Sequence, residues 1–149
     1  MQQYIDFVTS NAILSLVWVG LVVAIIASYV KQKTSGYSVV NPNEATSMVN
    51  RENGVFVDIR SRDEYRQGHI AGALHILPGQ IKEQNFSELE KHKTAPIIVV
   101  CKTGQTAQES ANLLHQAGFE NVNLLKDGLI SWNEANLPLV RSKSNKGKK

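Results

Sequence analysis

The chain has 149 residues, a single cysteine and a formal charge of +3, which leaves room for one ordinary domain and an appendage. One cysteine excludes an internal disulfide framework and the multi-cysteine zinc sites, and suits a reducing compartment where a free thiol stays usable. Five positive charges and no acid fall in the terminal stretch RSKSNKGKK, so the remainder carries −2; without a basic face interleaved with aromatics, nucleic acid is not an expected partner.

Residues 1–11, MQQYIDFVTSN, lead into an uncharged run of 19 residues from Ala12 to Val30. As a helix that run is about 28 Å long, close to the hydrocarbon thickness of a bilayer. Only Ser15 and Ser28 interrupt its apolar surface, so a transmembrane helix is predicted over 12–30. A cleaved signal peptide is the competing reading. It calls for a positive flank ahead of the run, whereas this flank has no Lys or Arg and carries Asp6. Lys31 and Lys33 follow the run, and the positive-inside rule then places the N-terminus outside and the rest of the chain in the cytoplasm. Residues 31–38, KQKTSGYS, read as a linker. Residues 141–149 read as a basic disordered tail, with attraction to anionic lipid headgroups as the alternative.

Residues 39–140 alternate strand and helix signals. Val39-Val40 suits a short strand, and Asn41, Pro42 and Glu44 mark a helix start. Val55–Val57 is a compact apolar strand ending at Asp58, and RDEYRQ is a short helix ahead of Gly68. Ala73–Leu77 is strand-like and stops at Pro78-Gly79, followed by helical patches at Gln80–Gln84 and Phe86–His92. Ile97–Val100, β-branched and without alternation, suits a strand covered on both faces. Ala107, Ala111, Leu114 and Ala117 recur at helical spacing before Gly118. Val122–Leu125 is a further strand, and Asp127–Ala135 a last helix. The alternation predicts an α/β domain with a largely parallel central sheet flanked by helices.

The lone Cys101 ends the strongest strand, where ligand chemistry gathers in such sheets. The loop Lys102-Thr103-Gly104-Gln105-Thr106 then turns into a helix. Backbone N–H groups of such a loop can converge on an anion, and helix N-termini and nearby cations favour thiolate. The alternative is a small buried apolar residue capping a core strand. His69 and His75 invite a base or metal reading. No ligand spacing joins the four histidines, so no metal is expected; His75 reads as a hydrogen-bonded core residue, His92 and His115 as solvent-facing.

Val57-Asp58-Ile59-Arg60, the run Glu64-Tyr65-Arg66-Gln67-Gly68-His69-Ile70-Ala71-Gly72-Ala73, the loop Cys101-Lys102-Thr103-Gly104, and Asp127-Gly128 through Trp132 to Leu137-Pro138 stand in order along the chain. Together they resemble the rhodanese-like family of single-domain sulfurtransferases, and with the N-terminal run the membrane-anchored bacterial members of it. The resemblance implies that Cys101 takes sulfane sulfur from a donor such as thiosulfate and passes it, as a persulfide, to a thiol or other thiophilic acceptor. It implies no cofactor, residues 102–106 as the persulfide-binding loop, His69 in a structural turn, and Asp58 and Arg60 as supporting residues that position loops, with Glu64 as a further partner. It also implies a location in the bacterial inner membrane. Thr106 stands where many members carry arginine, which removes a fixed cation that would grip thiosulfate. The same six-residue loop is one residue shorter than that of the related phosphatases and lacks their arginine. Asp127 and Asn136 replace family glycines, changes expected to lie in surface turns without bearing on the chemistry. A tethered binding module of low turnover that recruits a membrane protein is the alternative function.

Overall fold

A computed structural model describes residues 1–33 and 35–142. The chain divides into two compact units, Met1–Ser35 and Gly36 onward. Most of the expected tail, residues 143–149, lies outside the described residues.

In the first unit, the segment ahead of the apolar run is itself a helix, α1 (Gln2–Ser10). It ends at Asn11, whose φ of −122° and ψ of 44° leave the helical region. The second helix, α2 (Ala12–Lys33), continues past Val30 into the expected linker, because Lys-Gln-Lys are good helix formers and no glycine or proline intervenes before Gly36. Among the described residues, the Ala12–Val30 part of α2 is long and apolar enough to cross a membrane, and none of it is buried within the protein.

The second unit is built on five strands: β1 (Ser38–Val40), β2 (Val55–Asp58), β3 (Leu74–His75), β4 (Ile97–Val100) and β5 (Val122–Leu125). They form one sheet in the order β1-β5-β4-β2-β3, with every neighbouring pair parallel. Helices α3 (Pro42–Glu52), α4 (Arg62–Gln67), α5 (Pro78–Lys82), α6 (Ala107–Gln116) and α7 (Gly128–Glu134) connect or follow the strands. The side-chain period of two in a strand divides the apolar residues between two cores. Val57, Ile97, Val99, Val122 and Leu124 pack with Ile81 of α5 and with Ala107, Ala111 and Leu114 of α6. Phe56, Ile98, Val100 and Leu125 pack with Ala45 of α3 and with Leu129 and Trp132 of α7. All four residues of β4 are buried, which is why its sequence shows no polar alternation.

Local chemistry sets the helix starts. Asn41 Oδ1 accepts the Glu44 N–H at 2.9 Å while Glu44 Oε2 accepts the Asn41 N–H at 2.9 Å, a reciprocal cap with Pro42 in the first turn. Ser61 and Glu64 build the same cap for α4. The third strand is shorter than the expected Ala73–Leu77: Leu77 already caps α5, and Pro78, which lacks an N–H, opens that helix instead of merely ending the strand. The two helical patches accordingly become α5 and a 3-10 helix over Ser87–His92. His115 is exposed as expected, whereas His92 is half-buried.

Candidate active site

Strands β2, β4 and β5 run parallel, so their carboxyl ends and the segments that follow meet at one end of the sheet. Ile59 N–H donates to Val100 O at 3.0 Å, tying the chain after β2 to the residue before Cys101. From β5 the chain turns through Lys126 and Asp127 into α7, and Leu129 N–H donates to the Cys101 carbonyl at 2.9 Å. The cysteine is thus held between the crossover after β2 and the turn from β5 into α7.

Cys101 is 2% exposed, whereas Lys102, Thr103, Gln105 and Thr106 are exposed around it. The loop curls back so that the Gly104 N–H donates to Cys101 Sγ at 2.9 Å. That curl needs a φ of +86° at Gly104, a conformation that side-chain-bearing residues rarely adopt. Helix α6 then begins at Ala107, with Thr106 at its cap and no side-chain bond to the cap N–H groups. Of the loop's backbone, the Gly104 N–H is the group that meets the sulfur.

On the adjoining crossover, Asp58 is 1% exposed and forms an ion pair with Arg60 at 2.7 Å. The pair is bidentate, with Arg60 Nε donating to Asp58 Oδ1 at 3.0 Å and Nη2 to Oδ2 at 2.7 Å. Arg60 also donates to Gly68 O at 2.6 Å, so one guanidinium joins the strand end to the far end of α4. Such a fork geometry is worth more than a point charge. The expected pairing of Arg60 with Glu64 is replaced by the α4 cap, because Ser61 lies nearer in sequence and its hydroxyl donates to Glu64 Oε2 at 2.9 Å. That hydroxyl is the main reason the Glu64 carboxyl sits below its ordinary value; the Ser61 N–H and the charges of Arg60 and Lys102 add to it.

The histidines support the same crossover. His69 Nδ1–H donates to Tyr65 O at 2.7 Å, and His75 Nε2–H donates to Arg60 O at 2.7 Å. Their rings sandwich Tyr65, with centroids 3.8 and 4.6 Å away. Burial, helped by the Asp58 charge, pushes the Tyr65 phenol up, so it stays a neutral donor to Ala73 O at 2.7 Å. His69 is also bridged to Val140. Among the described residues, no three His, Cys, Asp or Glu side chains gather where they would hold one metal ion.

The turn before α7 carries information that sequence reasoning passed over. Gly128 has φ +56°, and a Cβ there would stand 2.3 Å from the Cys101 carbonyl oxygen and 2.8 Å from the Lys102 carbonyl group. Asp127 and Asn136 occupy the left-handed region at φ 54° and 55°, where Asp and Asn are the better-tolerated substitutes for glycine. Both are exposed, but the Asp127 backbone nitrogen lies 3.3 Å from where a Cβ of Gly104 would be. This turn touches the loop and is not remote from it. The Asp127-Gly128 pair was visible as a turn before a helix; its contact with Cys101 was not.

A parallel sheet of this order, with a cysteine-headed loop curled over its own sulfur at the end of its central strand, defines an α/β domain with one candidate site. The family model for the Rhodanese-like domain matches residues 41–135, and the chain belongs to the rhodanese-like family. Over 143 residues it is 48% identical to the uncharacterized protein YibN of Escherichia coli strain K12, covering 96% of this chain and 100% of that one. It is 34% identical over 96 residues to the thiosulfate sulfurtransferase GlpE of Coxiella burnetii, covering 64% of this chain and 87% of that one. The crystal structure of the Alr3790 protein from Anabaena superposes with a TM-score of 0.61 at 28% identity, over 70% of this chain and 81% of that one. Sulfur transfer is the role these relationships support at the level of the family.

Proposed function

We propose that the protein is a membrane-anchored sulfurtransferase that carries sulfane sulfur on Cys101. The observation that carries this reading is the Gly104 N–H aimed at Cys101 Sγ from 2.9 Å, a donor in place for negative charge on that sulfur. The thiolate attacks the outer sulfur of a donor such as thiosulfate. An S–S bond forms at Cys101, the donor's own S–S bond breaks, and sulfite leaves with the electron pair. A thiophilic acceptor, cyanide or a thiol, then attacks the terminal sulfur and returns the thiolate. Splitting the transfer into two displacements is what a nucleophilic cysteine offers. In this reading the exposed Lys102 draws in an anionic donor, residues 103–106 line the persulfide, and Asp58 with Arg60 keeps the neighbouring crossover in place. Thr106, an uncharged side chain, predicts weaker capture of thiosulfate than an arginine would give. Helix α2 anchors the domain on the cytoplasmic face of a bacterial inner membrane, with the N-terminus outside.

A tethered binding module with little turnover is favoured by one observation, the 2% exposure of Cys101 behind its loop. Intact-mass spectrometry after incubation with thiosulfate separates the two. The sulfurtransferase gains the mass of one sulfur, loses it to cyanide, and gains nothing once Cys101→Ser is introduced. No gain with thiosulfate or with other sulfane donors overturns the enzyme and leaves the module.

A further inference from the structure

We infer that α1 is an interfacial helix, its apolar face seated in the headgroup–acyl boundary of the leaflet where α2 begins; this rests on the membrane reading of α2.

Successive residues of an α-helix are rotated by about 100°. On that projection Tyr4, Ile5, Phe7 and Val8 fall on one side of α1, and Gln2, Gln3, Asp6, Thr9 and Ser10 fall on the other. Within its own unit, among the described residues, the apolar side is left uncovered: Tyr4 is 79% exposed, Ile5 61%, Phe7 67% and Val8 52%. A helix of nine residues is marginal in water on its own, because nucleation costs more than so few hydrogen bonds return. Its stability calls for a surface to bury that side.

The position of α1 points to lipid as that surface, because only Asn11 separates it from the membrane-length apolar run that begins at Ala12. In α1 the polar side chains of the last turn and the cap bond back to carbonyls one turn earlier in the same helix. Thr9 Oγ1 donates to Ile5 O at 2.9 Å, Ser10 Oγ to Asp6 O at 2.6 Å, and Asn11 Nδ2 to Phe7 O at 3.2 Å. The Asn11 N–H adds a further bond to Phe7 O at 3.1 Å. Hydroxyl and amide groups satisfied on their own helix are suited to a boundary where water is scarce. The break at Asn11 separates α1 from the start of the apolar run at Ala12, so α1 need not follow α2 into the hydrocarbon. An aromatic ring such as that of Tyr4 suits the headgroup level. Residues 1–11 contain no Lys or Arg and one acid, Asp6, so attraction to anionic lipid does not hold the helix. Apolar burial holds it, with α2 keeping it at high local concentration.

The test is a nitroxide scan of the full chain, reconstituted in phosphatidylcholine vesicles with or without phosphatidylglycerol. In a Cys101→Ser background, labels are placed singly by Tyr4→Cys, Ile5→Cys, Val8→Cys, Gln3→Cys, Asp6→Cys and Ser10→Cys, with Leu21→Cys as the reference in α2. The expected result is a several-fold higher oxygen-to-nickel-chelate accessibility at 4, 5 and 8 than at 3, 6 and 10, unchanged by phosphatidylglycerol or salt. Chelate access at every α1 position puts the helix in water and overturns the inference. Oxygen access at every α1 position makes it part of a longer span and overturns it too. Exclusion of both reagents from 4, 5 and 8 means that protein covers the face, and a strong dependence on phosphatidylglycerol means that charge holds it; each overturns the inference. Chelate access at Leu21→Cys is a separate outcome, the failure of the membrane reading of α2 itself.

Discussion

Two crossovers leave the same end of the sheet and are fixed by opposite means. The segment after β2 is held by side chains: Asp58 grips Arg60, Arg60 reaches Gly68 O, and Ser61 and Glu64 cap α4. The loop after β4 is held by backbone: Gly104 N–H meets Cys101 Sγ, Leu129 N–H meets Cys101 O, and Gly128 packs against both by having no side chain. The side chains of that loop, Lys102, Thr103, Gln105 and Thr106, are left exposed. A frame made of backbone keeps its shape while its side chains vary, so the residues of this loop are free to change without unfolding it. That freedom accommodates Thr106.

The largest effect that would break this comparison comes from Gly128→Ala. The added methyl meets the Cys101 carbonyl, and overpacking costs about 1–3 kcal/mol. Persulfide loading should fall far more than stability, because the atoms displaced are those that aim the loop. Loading measured by intact mass alongside urea unfolding separates the two. If loading is retained at wild-type rate, the backbone frame is not what positions the sulfur.

Gly72→Ala sharpens the same contrast. Gly72 has φ +78° and nothing within 4 Å of the added methyl, so it incurs left-handed strain of about 1–2 kcal/mol without touching Cys101. Stability should drop and loading should not. Equal loss of loading in both variants would mean that general destabilisation, not contact, governs the site.

Ser61→Ala probes the crossover held by side chains. Losing a cap costs about 1 kcal/mol, and the Glu64 carboxyl should rise toward 4.5, its unperturbed value. The sign follows from linkage: a value lowered by folding contributes stability that is present above pH 4.5 and lost as pH falls through the folded value. In the variant that acid-side loss flattens, as read by carboxyl NMR titration and unfolding across the same pH range. An unchanged Glu64 titration would remove Ser61 as its cause.

The smallest effect expected is from Asp127→Gly. It relieves a left-handed aspartate and should stabilise by no more than about 1 kcal/mol, with loading unchanged because the backbone at 127 keeps its place. A loss of loading would give the Asp127 side chain a part in the site.

Much of this molecule is written locally. Asn41-Pro42 and Ser61 start helices wherever the chain puts them, since a cap is a bond between residues three apart. Ile97–Val100 is buried on both faces as its composition requires, and the uncharged Ala12–Val30 run can hardly be anything but a long apolar helix. The cysteine at the end of β4, the loop after it and the late glycine were all visible as motifs. Where local signals compete, boundaries moved: Pro78 opened α5 and cut β3 to Leu74–His75, and the lysines after Val30 prolonged α2.

Contacts between residues far apart in sequence were beyond that reach. Sequence alone settled that Cys101 ends a central strand in a glycine-bearing loop, because strand pattern and turn chemistry are short-range. Only the tertiary structure decided that Gly128, far along the chain, lies against the Cys101 carbonyl, that Arg60 turns to Asp58 and Gly68 instead of Glu64, and that His75 braces Arg60 O. Those choices follow from the parallel order of β2, β4 and β5, which brings three strand ends to one end of the sheet and lets space, not spacing, select the partners.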